Sequence, residues 1–313
     1  MNQEEEKDPA AGLEAALRLI SQAFCPSPQD EAVRKQVVAA VRRAMLELNL
    51  PGVDVLLYGS TVSGFYKATS DLDLALVATL DATRMSQREL ADIEREGHRV
   101  TEYMPLSFLN KNEKGKILRK AAQLLRKHGV PKGYSMQYIL HARVPIITFQ
   151  DSWHGIECDL CIGDMSTPFK ACVLRQVAKV NTRFGDLFRL VKAWAKAHGL
   201  NSGADSTFNS WCLSLMVVFY MQTRSAGAML PPMVNLFYAE PPPPTAPRLL
   251  DKDSCVDLAE AFAVLEKRVI GAAADYGDVG ADVPLSELLV DFLGTTWRHL
   301  GLCLKEPERR LCA

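Results

Sequence analysis

The chain has 313 residues, of which 48% are hydrophobic and 23% charged, which is enough to build two globular domains with buried cores. Its net charge of −1 excludes a general attraction to polyanions, so nucleic-acid binding would depend on a local basic surface. No apolar stretch reaches membrane-spanning length without a polar interruption, which argues against a membrane partner.

Hydrophobic periodicity predicts that helices come first and that a sheet follows. The first predicted helices lie at 13–23 and 31–48, and a more polar helix is predicted at 87–100. The predicted strands lie at 53–58, 72–77, 135–140, 144–149 and 155–162. Beyond Asp164 the pattern becomes helical, which predicts a domain boundary near residue 165. A Pro-rich stretch at 231–247 is expected to be an extended surface connection, because proline cannot continue a helix.

The start of the chain and its cysteines bear on the compartment. Four carboxylates lie among residues 4–8, whereas organelle-targeting peptides are rich in Arg. The eight cysteines follow no disulfide-like spacing and are expected to be reduced thiols. We therefore expect a cytoplasmic protein, with a mitochondrial location as the alternative if a targeting segment has been removed.

A small turn and two carboxylates form the most informative pattern in the chain. Gly59 and Ser60 end the first strand, where backbone amides and a hydroxyl can face a phosphate. Asp71 and Asp73 open the next strand and share a face, so their charges repel unless a cation lies between them. Oxygen ligands favour Mg²⁺ or Mn²⁺, so the pattern indicates a metal-dependent nucleotide site. A turn that merely uses small and acidic residues is the alternative.

A third carboxylate lies in the predicted strand at 155–162. Alternation along this strand places Asp159 and Glu157 on the face opposite Cys158. If this strand lies beside the one that carries Asp73, Asp159 completes a three-carboxylate cage for two metal ions. The alternative is that these acids form the solvated face of an edge strand.

Two features of the remaining chain indicate contacts with phosphates or bases. Lys192 and Lys196 lie four residues apart on a predicted helix and project from one side, which suits a triphosphate, although solvated charge is the alternative. Ser210 and Trp211 lie near the start of the next helix, where a hydroxyl can contact an anion and a flat ring can stack on a base. Buried packing is the alternative for the ring.

A basic stretch at 111–132 holds eight Lys and Arg residues and one acid, Glu113. It predicts either a nucleic-acid surface or the solvated face of a helix.

Together these motifs resemble the terminal nucleotidyltransferases of the DNA polymerase β superfamily, namely its non-canonical poly(A) polymerases and terminal uridylyltransferases. The resemblance runs from about residue 55 to about residue 295. In chain order its motifs are Tyr58-Gly59-Ser60, Ser70 to Leu74, Arg143 to Ile147, Cys158 to Leu160, Leu190 to Lys196, and Thr207 to Trp211. The resemblance implies an α+β fold with a mixed-sheet catalytic domain at 36–165. It also implies a mostly helical base-binding domain made of 1–35 and 166–313, with the nucleotide in the cleft between the two.

The family resemblance also implies a role for each matching residue. Asp71, Asp73 and Asp159 would bind Mg²⁺ or Mn²⁺, and Asp159 would activate the 3′-hydroxyl of an RNA. The triphosphate would be contacted by Gly59, Ser60, Lys192, Lys196 and Ser210. Trp211 takes the place of the family's stacking Tyr, and Arg143 lies where the RNA end would approach.

These expectations converge on an RNA 3′-terminal uridylyltransferase that adds UMP from UTP and releases pyrophosphate. The short chain is similar to the minimal uridylyltransferases of kinetoplastids, some of which serve RNA editing, so the expected partners are UTP, an RNA 3′ end and an RNA-processing complex. One alternative is the same reaction with ATP. Another is a catalytically silent scaffold of such a complex, because the family's base-reading loop is not recognisable in the chain.

Overall fold

The computed structural model describes residues 9–202, 207–237 and 258–299. By its internal contacts the chain divides into two compact units. The sheet unit holds residues 25–175 and 243–262, and the helical unit holds 1–24, 176–242 and 263–313. The sequence-based domain bounds, 36–165 against 1–35 with 166–313, stay a prediction.

The chain contains both helices and strands as far as residue 162 and only helices afterwards, in its described part. The first part contains α1 (Pro9–Ala23), α2 (Pro28–Met45), β1 (Asp54–Leu57), α3 (Gly59–Ser63), β2 (Leu72–Val77), β3 (Thr79–Asp81), α4 (Gln87–Arg95), β4 (Tyr103–Pro105), α5 (Lys111–Lys127), β5 (Gln137–Ile139), β6 (Ile146–Gln150) and β7 (Glu157–Ile162). The second part contains α6 (Phe169–Val180), α7 (Thr182–Ala197), α8 (Ser210–Thr223), α9 (Met233–Phe237), α10 (Leu258–Tyr276) and α11 (Leu285–His299).

The sheet unit is built on a five-stranded mixed sheet with the order β1-β2-β7-β6-β5. Strands β2 and β7 pair in parallel, and every other neighbouring pair in this sheet is antiparallel. The α+β class and the five predicted strands are therefore confirmed. A small ladder of β3 and β4 is an addition that the sequence did not predict, since its strands have only three residues each.

The core of the sheet unit lies between this sheet and the helices α2 and α5. Strand β2 contributes Leu72, Leu74 and Leu76, all fully buried, as the alternation predicts. Ala75 and Val77 are buried as well, so Asp73 is the polar interruption of a strand that is otherwise covered on both faces. A central strand of this kind places its one carboxylate against the surrounding protein, not in open solvent.

The helical unit packs α1, from the start of the chain, against α7 and α11. Ser21 of α1 donates a hydrogen bond to Asp186 of α7 over 2.7 Å. Further along, α7 and α11 both pack on α8, and the Tyr220 hydroxyl donates to Asp291 over 2.8 Å. In the described part of the chain, no helix is both long enough and apolar enough to cross a membrane.

One segment differs from its predicted conformation. The stretch at 231–247 was expected to be extended, but Met233–Phe237 forms the short helix α9. Pro231 and Pro232 precede that helix, where a missing backbone N–H breaks no helical hydrogen bond, and the Pro232 carbonyl accepts from Asn235. The four consecutive prolines at 241–244 lie outside the described residues.

A buried carboxylate shapes the turn between β6 and β7. Asp151 is fully buried, and its side chain accepts hydrogen bonds from the backbone amides of Trp153, His154 and Ile156 at 3.0, 2.9 and 2.6 Å. These three bonds fix the chain reversal from which β7 begins, and β7 carries Asp159. A buried carboxyl group that accepts from three backbone amides is a strong local constraint, since a buried acceptor is costly to leave without partners.

We predict that Asp151→Ala lowers the free energy of unfolding by about 3 kcal/mol, because three backbone amides lose their buried acceptor. Urea denaturation measures the change. Glu31→Ala is the control, since its carboxylate belongs to an exposed pair with Lys35 and its removal should change the free energy of unfolding little. Equal losses in the two variants would contradict the role of Asp151.

Candidate active site

The turn after β1 brings Gly59 against the carboxylate of Asp73. Gly59 has a φ of +63°, a left-handed conformation that favours glycine. A Cβ atom at this position would lie 2.1 Å from Oδ2 of Asp73, far inside van der Waals contact. The Tyr58 amide also donates to the Asp73 carbonyl over 3.2 Å. The glycine therefore lets the turn that contains Ser60 approach the carboxylate directly.

Asp73 and Asp159 face each other across neighbouring strands. They occupy paired positions in the parallel ladder of β2 and β7, so their side chains leave the same face of the sheet. Both are partly exposed, while their neighbours Leu72, Leu74 and Leu160 are fully buried. The condition set by the sequence, that these two strands be adjacent, is met by the structure.

Asp71 lies immediately before β2, and its negative charge acts on Asp159. The pKa of Asp159 is raised to about 6, first by burial and then by the negative charges of Asp71 and Glu157. Asp159 therefore interacts electrostatically with Asp71, and its pairing in the ladder places it beside Asp73. Among the residues that the structure describes, however, no group of three or more His, Cys, Asp or Glu side chains is arranged to hold a metal ion. The donors suit a hard divalent cation in type, since all three are carboxylates, but they do not form a closed cage.

Tyr58 and Cys161 lie close to Asp73 and Asp159. The Cys161 thiol lies 3.6 Å from the Tyr58 hydroxyl. Burial, together with Cys161, Asp73 and Asp159, raises the pKa of Tyr58 far above its usual value, and burial also raises the pKa of the Cys161 thiol. Both groups are therefore neutral at physiological pH. Sequence reasoning gave neither residue a role; the position of Tyr58 next to Gly59 was the available signal.

The remaining nucleotide-binding candidates all lie in the helical unit. Lys192 and Lys196 lie four residues apart on α7, as predicted. Ser210 is the first residue of α8, with its hydroxyl 3.3 Å from the side chain of Asn201, and the half-buried Trp211 follows it. The side chain of Asn209 caps α8 by accepting from the Cys212 amide. The carboxylates therefore lie in one unit and these four residues in the other.

Arg143, the predicted RNA contact, is exposed in the turn between β5 and β6. Two residues earlier, the His141 carbonyl accepts a hydrogen bond from Lys111 at the start of α5. A cavity of about 680 Å³ lies between this turn and the first residues of α4 and α5, and its lining carries both charge signs, with Arg88 and Arg119 beside Glu89.

Helix α5, which contains most of the basic stretch, buries one face and exposes its charges on the other. Leu118, Ala121 and Leu125 are fully buried in the core. Lys116 and Lys127 form ion pairs with Glu113 and Glu47. This arrangement has the amphipathic form expected of a solvated helix face, and nucleic-acid binding by this helix stays a prediction.

The sequence is similar to that of a known protein family. The family described as "Poly(A) RNA polymerase, mitochondrial-like, central palm domain" matches residues 13–174. Protein HESO1 of Arabidopsis thaliana is 31% identical over 222 residues, which cover 71% of this chain and 39% of that protein.

Solved structures share the fold at lower sequence identity. The structure of mtPAP in complex with UTP is 21% identical, with a TM-score of 0.57 over 72% of this chain and 45% of that one. A structure of Cid1, described by its RNA terminal uridylyl transferase activity, is 18% identical, with a TM-score of 0.51 over 71% of this chain and 56% of that one. At these identities the likeness shows the fold alone, and the chain spans less than two thirds of the length of each of these relatives.

We predict that Gly59→Ala lowers the free energy of unfolding by about 2–5 kcal/mol, because it adds a steric clash with Asp73 to the strain of a left-handed residue. Gly52→Ala is the matched control: Gly52 has a φ of +62° and nothing within 4 Å of its added Cβ, so only the strain, about 1 kcal/mol, remains. Chemical denaturation of both variants measures the difference. If both cost the same, the contact between Gly59 and Asp73 is not tight.

We also predict a pH dependence that is centred on Asp159. In metal-free buffer the folded protein keeps this proton up to about pH 6, whereas the unfolded chain releases it near pH 4. The stability that this group contributes is therefore lost as the pH rises from about 4 to about 6. Asp159→Asn should flatten that part of the curve of unfolding free energy against pH, and Asp71→Asn should flatten it partly. Curves parallel to the wild type would contradict the raised pKa.

Proposed function

The chain belongs to the family of the mitochondrial-like poly(A) RNA polymerase central palm domain, and on that premise we propose that it is an RNA 3′-terminal nucleotidyltransferase that uses UTP. The resemblance inferred from the motifs is confirmed by this family and by the shared fold. The observation that carries the proposal is the pairing of Asp73 with Asp159 across two parallel strands, with Asp71 close enough to raise the pKa of Asp159.

In the proposed reaction the 3′-hydroxyl oxygen of an RNA attacks the α-phosphorus of the nucleotide. A new phosphodiester bond forms, the bond from the α-phosphorus to the oxygen that bridges to the β-phosphate breaks, and pyrophosphate leaves. Asp159 receives the proton of the hydroxyl. A carboxylate with a pKa of about 6 is ionised at neutral pH and is more basic than an ordinary Asp, which suits this role.

The other residues of the carboxylate group hold the reactants in this proposal. Asp71, Asp73 and Asp159 would hold Mg²⁺ or Mn²⁺, which, when bound, offsets the mutual repulsion of the carboxylates and the charge of the triphosphate. Ser60 contacts the terminal phosphates, and Gly59 allows its turn to lie beside Asp73.

The candidates of the helical unit bind the rest of the nucleotide in this proposal. Lys192, Lys196 and Ser210 neutralise the triphosphate, and Trp211 stacks on the base. Base–aromatic stacking contributes about 1–3 kcal/mol and tolerates any base, so Trp211 supports affinity more than selectivity. Arg143 guides the RNA end.

The choice of UTP rests on the sequence resemblance to terminal uridylyltransferases, and the described activity of the fold relative Cid1 is consistent with it. The description of the matching family as a poly(A) RNA polymerase favours ATP, which we keep as the second candidate.

The test is to incubate the protein with a labelled oligoribonucleotide and each nucleoside triphosphate in turn, with Mg²⁺ or Mn²⁺. We predict extension with UTP, and a loss of more than about a hundredfold in Asp73→Asn, which keeps the side-chain shape and removes the charge. Asp54→Asn is the control, since Asp54 lies on the neighbouring strand and pairs with Arg42 at the surface. Extension with ATP alone would replace UTP in the proposal. No extension with any nucleotide would favour a scaffold.

A further inference from the structure

Arg34 is a charged residue in the core of the sheet unit. It lies on α2, and only 2% of its surface is exposed. Its neighbours on the same helix face, Val37, Val38 and Val41, are buried apolar residues. Burial of a guanidinium is costly unless its N–H groups find acceptors, so the partners of Arg34 indicate what it is there to hold.

Those partners are the carbonyl groups of one loop. Nη1 of Arg34 donates to the Asp71 carbonyl over 3.3 Å. Nη2 lies within hydrogen-bond distance of three further carbonyls, at 3.3, 3.3 and 2.5 Å, which belong to Lys67, Ala68 and Ser70. The guanidinium carbon also lies 4.6 Å from the centre of the Tyr66 ring, within cation–π range. One side chain therefore spans the whole connection between α3 and β2.

Two other features help to fix the loop. Its first residues, Phe65 and Tyr66, are buried, with 4% of each exposed. Further along, the Ser70 amide donates to the Lys67 carbonyl over 2.8 Å, and the Lys67 amide donates to the Ser70 hydroxyl over 3.1 Å, which closes a tight turn. Arg34 links this turn to α2, and the last carbonyl that it holds belongs to Asp71, whose side chain is exposed at the entry to β2.

We propose that Arg34 is a positioning residue: by holding the carbonyls of Lys67, Ala68, Ser70 and Asp71, it orients the Asp71 carboxylate toward Asp73 and Asp159 for the cation that the nucleotide requires. The inference rests on the proposed function. Arg34, which lies 37 positions before Asp71, thus fixes the position of one of the three carboxylates. The planar fork of Arg, with five donors, suits several carbonyls at once, whereas a Lys ammonium has three donors on a flexible stem.

The test compares Arg34→Lys with Arg42→Lys. Arg42 lies on the same helix and also links it to the sheet, through the Val55 carbonyl at 3.0 Å and Asp54 at 2.8 Å, but its contacts are with β1 and do not involve the loop. Both variants keep the positive charge. Three measurements are made on each: amide hydrogen exchange, Mn²⁺ binding by electron paramagnetic resonance, and kcat and KM for RNA extension.

For Arg34→Lys we expect faster amide exchange at residues 67–71. Amide exchange within β2 and β7 should stay unchanged, except at the ends of the strands. We expect Mn²⁺ affinity to fall about ten- to a hundredfold, as for residues that orient metal ligands. The kcat at fixed Mn²⁺ should fall by a similar factor, with the KM for RNA unchanged, and excess Mn²⁺ should partly restore it. Arg42→Lys should match the wild type in all three measurements.

Two results would overturn the inference. One is wild-type exchange in the loop together with wild-type Mn²⁺ affinity in Arg34→Lys. The other is faster exchange spread evenly over β1, β2 and β7, which would mean that Arg34 serves only overall stability. A wild-type protein that binds Mn²⁺ but extends no RNA would contradict the proposed function, while the exchange and binding measurements would still decide the role of Arg34.

Discussion

The negative charges of three neighbouring carboxylates are the constraint that the site in the sheet unit has to accommodate. Asp73 and Asp159 occupy paired positions of parallel strands, and Asp71 lies one residue outside the ladder. Burial and the charges of Asp71 and Glu157 raise the pKa of Asp159. Such a group lowers the stability of the folded chain, so it persists only where the surrounding structure fixes it.

The surrounding structure constrains the carboxylates at three points. Gly59 gives Asp73 room on one side, where any Cβ would overlap it. Asp151 accepts hydrogen bonds from three amides of the turn that leads into β7, and so fixes the start of the strand that carries Asp159. Arg34 holds the loop that ends at Asp71. Arg34 and Asp151 thus act on the site through main-chain atoms, whereas Gly59 leaves space for the Asp73 side chain.

This division explains what the sequence alone could predict. Strand alternation places Asp73 and Asp159 on polar positions, because that information is local, and the residue types indicate the chemistry. Their adjacency stays conditional, since nothing local determines that β2 pairs with β7, some 85 residues later, in parallel. Arg34 and Asp151 cannot be recognised, because charged residues are seldom buried and their partners lie far away or are backbone groups without a sequence signature. The sequence pattern did not predict helix α9, because prolines dominate the stretch around it. Prolines that precede the first turn of a helix, however, break none of its hydrogen bonds.

A buried charge and a left-handed glycine around one carboxylate group make sense together if the native site must be rigid before its cation arrives. A carboxylate on a flexible loop would turn away from its neighbours to reduce repulsion, and a cation would then have to bring it back at an entropic cost. Arg34 prevents that movement, since a loop that leaves it would abandon a buried guanidinium with no acceptors. The cost of separating Arg34 from the loop therefore opposes the repulsion among the aspartates, and the balance keeps Asp71 where its charge still acts on Asp159.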